Sequence, residues 1–241
     1  MRLLERVVEK PHSCTYLPAE QSSLEVQVLL DVSAAELEAM LERGWRRFGP
    51  MYFRPACTGC GECISLRVPV ARFSPSKSQR RAARACSSLR RVVGRPIVDD
   101  ARLGLYARWH GMREEVRGWE PNAQTRERYA IEFAFAHPAA REAAFYDGPR
   151  LVGLGLFDET PHALSAAFFF YDPAYAQRSL GTANVLSLVD DARATGRDHV
   201  YLGYRVAGCA SLSYKATFRP HELLAGRPSM REQPTWEPAD R

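Results

Sequence analysis

Cys57-Thr-Gly-Cys60-Gly-Glu-Cys63 places three thiols within seven residues. Thiolates are soft ligands, and a cluster of them at two-residue spacing suits zinc or an iron–sulfur cluster equally well. Gly59 and Gly61 let the backbone wrap tightly around such a centre. A closed tetrahedral site takes four donors, and Cys14 is the natural fourth. Reduced, unliganded thiols in a small turn are the alternative. Cys86 and Cys209 stand apart and read as small buried hydrophobes.

The second chemically loaded stretch follows directly. Ser76 and Gln79 form a capping box, and Lys77, Arg80, Arg81 and Arg84 fall at i, i+3, i+4 and i+7 behind it. One helical face therefore carries four cations, with backbone N–H groups at its start that also favour anions. Between Glu62 and Asp99 there is no acidic residue and there are nine basic ones. Removing these nine from the 33 basic residues leaves 24 against 28 acids, so the excess positive charge of the chain is local. That pattern favours a polyanion held at one place, through phosphate and shape contacts with little base reading.

Arg178-Ser179-Leu180-Gly181-Thr182-Ala183 follows a strand and opens a helix. It resembles the R/Q-x-x-G-x-G/A loop with which GNAT acyltransferases hold the pyrophosphate of coenzyme A. The physical basis is a glycine-containing loop that turns backbone N–H groups and a helix N-terminus toward an anion.

Elements that would position these residues follow from periodicity and punctuation. Leu24–Leu30 reads as a strand. Ser33 and Glu36 cap a helix that Gly44 stops, and residues 45–54 form an aromatic-rich strand or hairpin. Residues 66–70 form another strand, 92–96 break regular structure, and 99–117 are helical. Then come a helix over 125–135, a hairpin from strands 142–146 and 151–157, and a buried strand over 164–171. Helix 181–195, strand 200–206 and a short helix over 211–218 complete the order, with a frayed tail after Arg227. The expected fold class is α+β, a GNAT-like acyltransferase core preceded by a small Cys-rich α+β region. The expected division is 1–95 as a Cys-rich region for metal and nucleic-acid binding, 96–124 as a helical connector and 125–241 as the GNAT-like domain.

A hydrophobic content of 46% with 25% charged residues is ordinary for a globular chain long enough to bury a core. No run reaches the ~18 apolar residues of a membrane helix, and the N-terminus lacks a signal-peptide pattern. These features predict a cytoplasmic protein with no membrane partner, in a compartment where clustered cysteines bind metal rather than pair. The oligomeric state is left open.

Taken together the chain resembles the aminoacyl-tRNA–protein transferases of the N-degron pathway, the arginyltransferases and the bacterial aspartate/glutamate leucyltransferases. The first half carries Cys14-Thr-Tyr16-Leu-Pro18, Tyr52-Phe-Arg54-Pro55-x-Cys57-x2-Cys60-x2-Cys63-x3-Arg67-Val68 and Phe73-x-Pro75-Ser76-Lys77-Ser78-Gln79-Arg80-Arg81. The second half carries Phe170-Tyr171-Asp172-Pro173, Ser179-Leu-Gly181-Thr182, Tyr201-Leu-Gly203-Tyr204 and Tyr214-Lys215-x2-Phe218-x-Pro220. The likeness spans residues 12–222 and implies transfer of a leucyl or arginyl group from charged tRNA to the α-amine of proteins beginning with Asp or Glu. No cofactor is required for that chemistry, since the donor ester is already activated. Zinc or an iron–sulfur cluster on Cys14, Cys57, Cys60 and Cys63 would be structural or regulatory. On this reading Lys77, Arg80, Arg81, Arg84 and Arg178–Thr182 hold the aminoacyl-tRNA. Tyr204 or Tyr214 relays the proton, Lys215 binds phosphate or the acceptor carboxylate, and Asp172 orients the amine. An acetyl-CoA-dependent GNAT N-acetyltransferase and a non-catalytic, metal-stabilised RNA-binding protein are the competing readings.

Overall fold

The computed structural model describes residues 1–239. The strands are β1 (Arg2–Val8), β2 (His12–Ser13), β3 (Gln21–Ser22), β4 (Leu24–Leu30), β5 (Arg46–Phe48), β6 (Met51–Pro55), β7 (Ile64–Pro69), β8 (Arg90–Gly94), β9 (Ala140–Asp147), β10 (Arg150–Glu159), β11 (Ala163–Tyr171), β12 (His199–Arg205), β13 (Glu222–Leu224) and β14 (Trp236–Pro238). The helices are α1 (Ala34–Leu41), α2 (Lys77–Ala85), α3 (Asp100–Arg117), α4 (Arg126–Glu132), α5 (Leu180–Ala194) and α6 (Ala210–Ser213).

Both predicted capping boxes form. The Ser33 N–H donates to Glu36 Oε2 at 2.8 Å and the Glu36 N–H to Ser33 Oγ at 3.2 Å. At α2 the Ser76 N–H donates to Gln79 Oε1 at 2.8 Å and the Gln79 N–H to Ser76 Oγ at 3.3 Å. Two helix starts are thus set by four-residue signals that need no tertiary help.

An eight-stranded mixed sheet, ordered β14-β13-β7-β12-β11-β10-β9-β8, forms the main body, and a four-stranded antiparallel sheet, β1-β4-β6-β5, sits beside it. α2 and α5 cover one face of the large sheet, where Leu66, Val68, Leu164, Leu188, Val189 and Val200 are buried together. α3 covers the other with Leu105, Trp109, Tyr129, Leu154 and Phe170. Burying a side chain of this kind contributes ~1.5–3 kcal/mol, so both layers are strongly held. Among the described residues no helix is long and apolar enough to cross a membrane.

Three expectations are corrected. The break expected at 92–96 is partly a strand: β8 pairs with β9 at the sheet edge, Val92 opposite Ala144, and β9 supplies the ladder bonds. The tail is not frayed, because β14 pairs with β13 and the Trp236 ring lies 5.5 Å from that of Tyr201. The boundaries at 95 and 124 do not divide the sheet. β7 lies between β12 and β13, α2 packs on α5, and α3 from the expected connector packs on β10 and β11. The stretch carrying β1, β4, β5 and β6 forms a separate sheet, and β2 and β3 pair as a two-stranded one. A polypeptide of residues 96–241 would leave β12 and β13 without the strand between them. We predict that it shows no dispersed amide spectrum by NMR, whereas the full chain does.

Candidate active site

β11 and β12 are parallel, the one parallel pairing among the described residues. They stay in register only from Ala163↔His199 to Ser165↔Tyr201 and then diverge. A bulge sits on each strand at the point of separation. On β11, Leu156 faces Phe168 and Phe157 faces Ala166, which leaves Ala167 without a partner on β10. On β12, Tyr201 faces Arg67 and Gly203 faces Leu66, which leaves Leu202 extra. Gly203 adopts φ 81°, which suits a glycine at a bulge. The sheet therefore opens into a cleft whose walls carry backbone groups released from the ladder.

Arg46, the first residue of β5, reaches this fork from the smaller sheet. Its Nη1 donates to Ser165 Oγ at 3.0 Å, and its guanidinium lies 5.6 Å from the Tyr201 ring centre and 5.9 Å from that of Tyr204. Arg46 is 7% exposed, and its Nε and Nη2 have no acceptor. Burial pulls its pKa below the ordinary guanidinium value. Lys215 donates from Nζ to the Tyr204 carbonyl at 2.9 Å. Burial, with the nearby positive Arg46 adding to it, pushes this lysine down to about 7.

On the other side of the fork stands the N-terminus of α5. Ser179 adopts the left-handed conformation, φ 58°, and its side chain makes no capping bond. The Thr182 and Ala183 N–H groups both reach back to the Ser179 carbonyl, at 3.0 and 3.1 Å. The N–H groups of Leu180 and Gly181 precede the first helical bonds, as helix geometry requires. Arg178 lies over the Tyr175 ring at 5.1 Å.

α2 spans the two sides. At its start Gln79 Nε2 donates to the Thr217 carbonyl at 3.2 Å, two residues beyond Lys215. At its end the Cys86 thiol donates to the Arg178 carbonyl at 3.3 Å. Lys77, Arg80, Arg81 and Arg84 are exposed while Gln79 and Ala82 are buried, so the cationic face points outward along a rod joining both edges of the cleft.

The cysteine loops border the same region. Cys63 is pushed up to about 11 by burial and then by the charges of Cys57, Cys14 and Cys60, so the four thiols lie within electrostatic reach of one another. Cys209, expected to be buried, is half-exposed and 3.1 Å from Ser211 Oγ. Arg227 holds the loop by donating to the Cys57 carbonyl at 2.9 Å and the Cys60 carbonyl at 2.5 Å. Among the described residues no three His, Cys, Asp or Glu side chains are arranged to hold a metal ion as they stand. The donor chemistry suits a soft metal, although the thiols do not form a closed set as they stand.

The remaining expected catalytic residues are placed differently from one another. Asp172 is 3% exposed. One oxygen accepts from the Ala174 N–H at 3.1 Å, and the other accepts from Arg150 at 2.7 Å and Arg108 at 3.0 Å. Burial opposes its ionisation, yet these three donors hold its pKa below the usual carboxylate value. Its oxygens are occupied in capping the turn at Pro173, which corrects the expectation that it orients an amine. The Tyr204 hydroxyl donates into the smaller sheet, toward the Gly44 carbonyl at 2.8 Å and the Phe53 carbonyl at 3.3 Å, and burial pushes its pKa up. It ties the two sheets together, with its proton directed to these carbonyls and away from the fork. Tyr214 is 45% exposed at the rim. Reading the sequence missed Arg46. An arginine opening an otherwise aromatic hairpin was the available signal, but its destination across 119 residues of chain was not visible.

Residues 12–81 match the family model described as arginine-tRNA-protein transferase, N terminus, and residues 101–225 match arginine-tRNA-protein transferase, C terminus. An aspartate/glutamate leucyltransferase of Helicobacter hepaticus is 33% identical over 238 residues, 98% of each chain. One from Aeromonas salmonicida is 38% identical over 218 residues, 88% of this chain and 89% of that protein. Among solved structures, L-PGS from Bacillus licheniformis is 14% identical at a TM-score of 0.45, covering 73% of this chain and 58% of that one.

The left-handed backbone at Ser179 carries a cost that glycine would not incur, about 1 kcal/mol. The substitution Ser179→Gly is expected to raise unfolding stability by roughly 0.5–1 kcal/mol in urea titration.

Proposed function

The chain belongs to the arginine-tRNA-protein transferase family, and from that premise we propose that it transfers an aminoacyl group, leucyl in preference to arginyl, from charged tRNA to the α-amine of proteins beginning with Asp or Glu. The observation that carries this reading is the course of α2, which runs its exposed cations from the Lys215 side of the cleft to the N-terminus of α5. A tRNA acceptor end laid along that face would deliver its terminal ester to the fork in a GNAT-like manner. Phosphates would rest on Lys77, Arg80, Arg81, Arg84 and Arg178, with the last nucleotide at the free N–H groups of Leu180 and Gly181.

The reaction needs little beyond positioning. The acceptor α-amine has a pKa of roughly 7.7–8.0, so it is partly neutral near pH 7. It attacks the ester carbon, the tetrahedral oxyanion collapses, the ribose hydroxyl leaves with a proton, and an amide remains. Holding the reactants in line is worth several kcal/mol. Backbone N–H groups beside the Ala167 bulge would stabilise the oxyanion. The exposed Tyr214 hydroxyl is the remaining side-chain candidate for returning the proton.

Leucyl is favoured over arginyl on charge. Arg46 and Lys215 flank the fork, and Arg47 beside them is already neutralised by Asp158. An arginyl side chain would meet cations without a free carboxylate, whereas an aliphatic one could rest on the Phe48, Phe53 and Phe168 rings near the mouth, stacked and edged at 5.8 Å.

Purified protein with leucyl-tRNA should label peptides beginning with Asp or Glu but not Ala, and with arginyl-tRNA should label them at least tenfold more slowly. Absence of transfer from either donor overturns the reading. Replacing both Arg81 and Arg84 with Ala should weaken tRNA binding for any sequence and lower the slope of log K against log salt by up to about 2, measured by filter binding.

Cys14, Cys57, Cys60 and Cys63 are proposed to hold a structural zinc ion or an iron–sulfur cluster after rotation of their side chains. The group would stiffen the rim of the cleft and take no part in the transfer. Metal analysis and the visible absorption spectrum of protein purified without oxygen should show about one zinc, or cluster iron with sulfide, per chain, and a Cys60→Ser/Cys63→Ser variant should lose it. A metal-free wild type rejects the assignment.

A further inference from the structure

The described structure contains two other deeply buried arginine side chains, and both are paired: Arg102 with Glu142, and Arg47 with Asp158. Arg46 is equally buried and has no carboxylate partner. After the Tyr204 and Tyr201 rings, the one carboxylate that acts on it is Asp158, already taken by Arg47. Lys215 likewise makes no ion pair, its single hydrogen bond going to a backbone carbonyl. Leaving one buried cation uncompensated is costly, and placing a second beside it adds repulsion. A protein that retains such an arrangement at the fork of its sheet has a use for it.

The two cations converge on one spot. A Cβ built on Gly203 would lie 3.2 Å from Lys215 Nζ and 3.8 Å from Arg46 Nε. Because residue 203 is glycine, no side chain separates the two, and an incoming atom needs the flexible Lys215 chain to shift by only a few tenths of an ångström. The N–H donors around it, Nε and Nη2 of Arg46 and the Lys215 ammonium, match the acceptor oxygens of a carboxylate.

Resting on the transfer reaction above, we infer that Arg46 and Lys215 form the subsite that receives the side-chain carboxylate of the acceptor's first residue, and so make the enzyme selective for acidic N-termini. On that reading the donor's phosphates have their own holders on the exposed face of α2 and at the start of α5, which leaves this inner pair for a different anion. The carboxylate supplies the counter-charge that the fold omits. Arg46 is fixed by Ser165, whereas Lys215 rides on a flexible four-carbon stem, so the pair can meet both the shorter Asp and the longer Glu. Asparagine has the same shape as aspartate but offers neither the charge nor an all-acceptor end.

The test uses the full-length protein, leucyl-tRNA and peptides identical except for Asp, Asn or Ala at position one. Wild type should favour Asp over Asn by a large factor in kcat/KM. Lys215→Met should cut the Asp value roughly 100-fold, chiefly through KM, and bring the Asp-to-Asn ratio close to one. Arg46→Lys, which keeps the charge and loses the fork of donors, should fall between. Circular dichroism establishes that each variant is folded, and Lys215→Gln stands in if Met does not fold. An unchanged Asp-to-Asn ratio in a folded Lys215 variant overturns the inference, as does an equal loss on both peptides. A variant whose defect is instead in KM for leucyl-tRNA assigns the pair to a phosphate and overturns it too. Calorimetry of Asp and Asn peptides without tRNA separates the two levels. Lys215-dependent binding of the Asp peptide by a protein that transfers nothing would sink the reaction and keep the subsite.

Discussion

The molecule depends on a parallel strand pair that lasts for three residues. Parallel neighbours cannot be joined by a tight turn, so β11 must reach β12 through a crossover, and that crossover is α5. The helix packs on the sheet and holds both strands at their start. Beyond Ser165 and Tyr201 no ladder pairing joins them among the described residues, and the bulges at Ala167 and Leu202 steer them apart. The cleft is thus a consequence of sheet geometry rather than of a loop folded over a cavity. Its walls are main-chain strands anchored in two cores, which makes them stiff enough to position a reacting ester and amine.

Charge is distributed around this opening on two scales. α2 presents its cations to solvent, where they are individually weak and collectively suited to a polyphosphate backbone. Arg46 and Lys215 sit inside, where dielectric screening is weaker and each missing partner matters more. The smaller sheet exists in part to bring the first of these to its place. β5 enters beside β11, and the Tyr204 hydroxyl bonds back to Gly44 and Phe53 so that the two sheets hold one geometry. Stability is given up at Arg46, while the neighbouring Arg47–Asp158 pair is complete.

Much of the local structure is legible in the chain because its causes are local. The capping boxes at Ser33/Glu36 and Ser76/Gln79 act within one turn. The hairpin around Gly148 is set by a glycine at φ 56°, and the period of the cations on α2 places them on one face without reference to anything else. The motif running into α5 was readable for the same reason. Strand β8 was missed because a strand's hydrogen bonds lie on its neighbour, and the punctuation at Gly94 and Pro96 outweighed Val92 and Val93.

Sequence alone determined which segments carry cations, thiols and turn-forming glycines, and that a loop-to-helix start follows the buried strand, since each rests on residues within a few positions of one another. The partnership of residues far apart was decided only by the tertiary structure. It put β7 between β12 and β13, turned the Tyr204 hydroxyl away from the cleft, occupied Asp172 with Arg108 and Arg150, and carried Arg46 to Lys215. The physical reason is that sheet order and ion pairing follow from which surfaces can be buried together, a property of the assembled layers that no window of the chain contains.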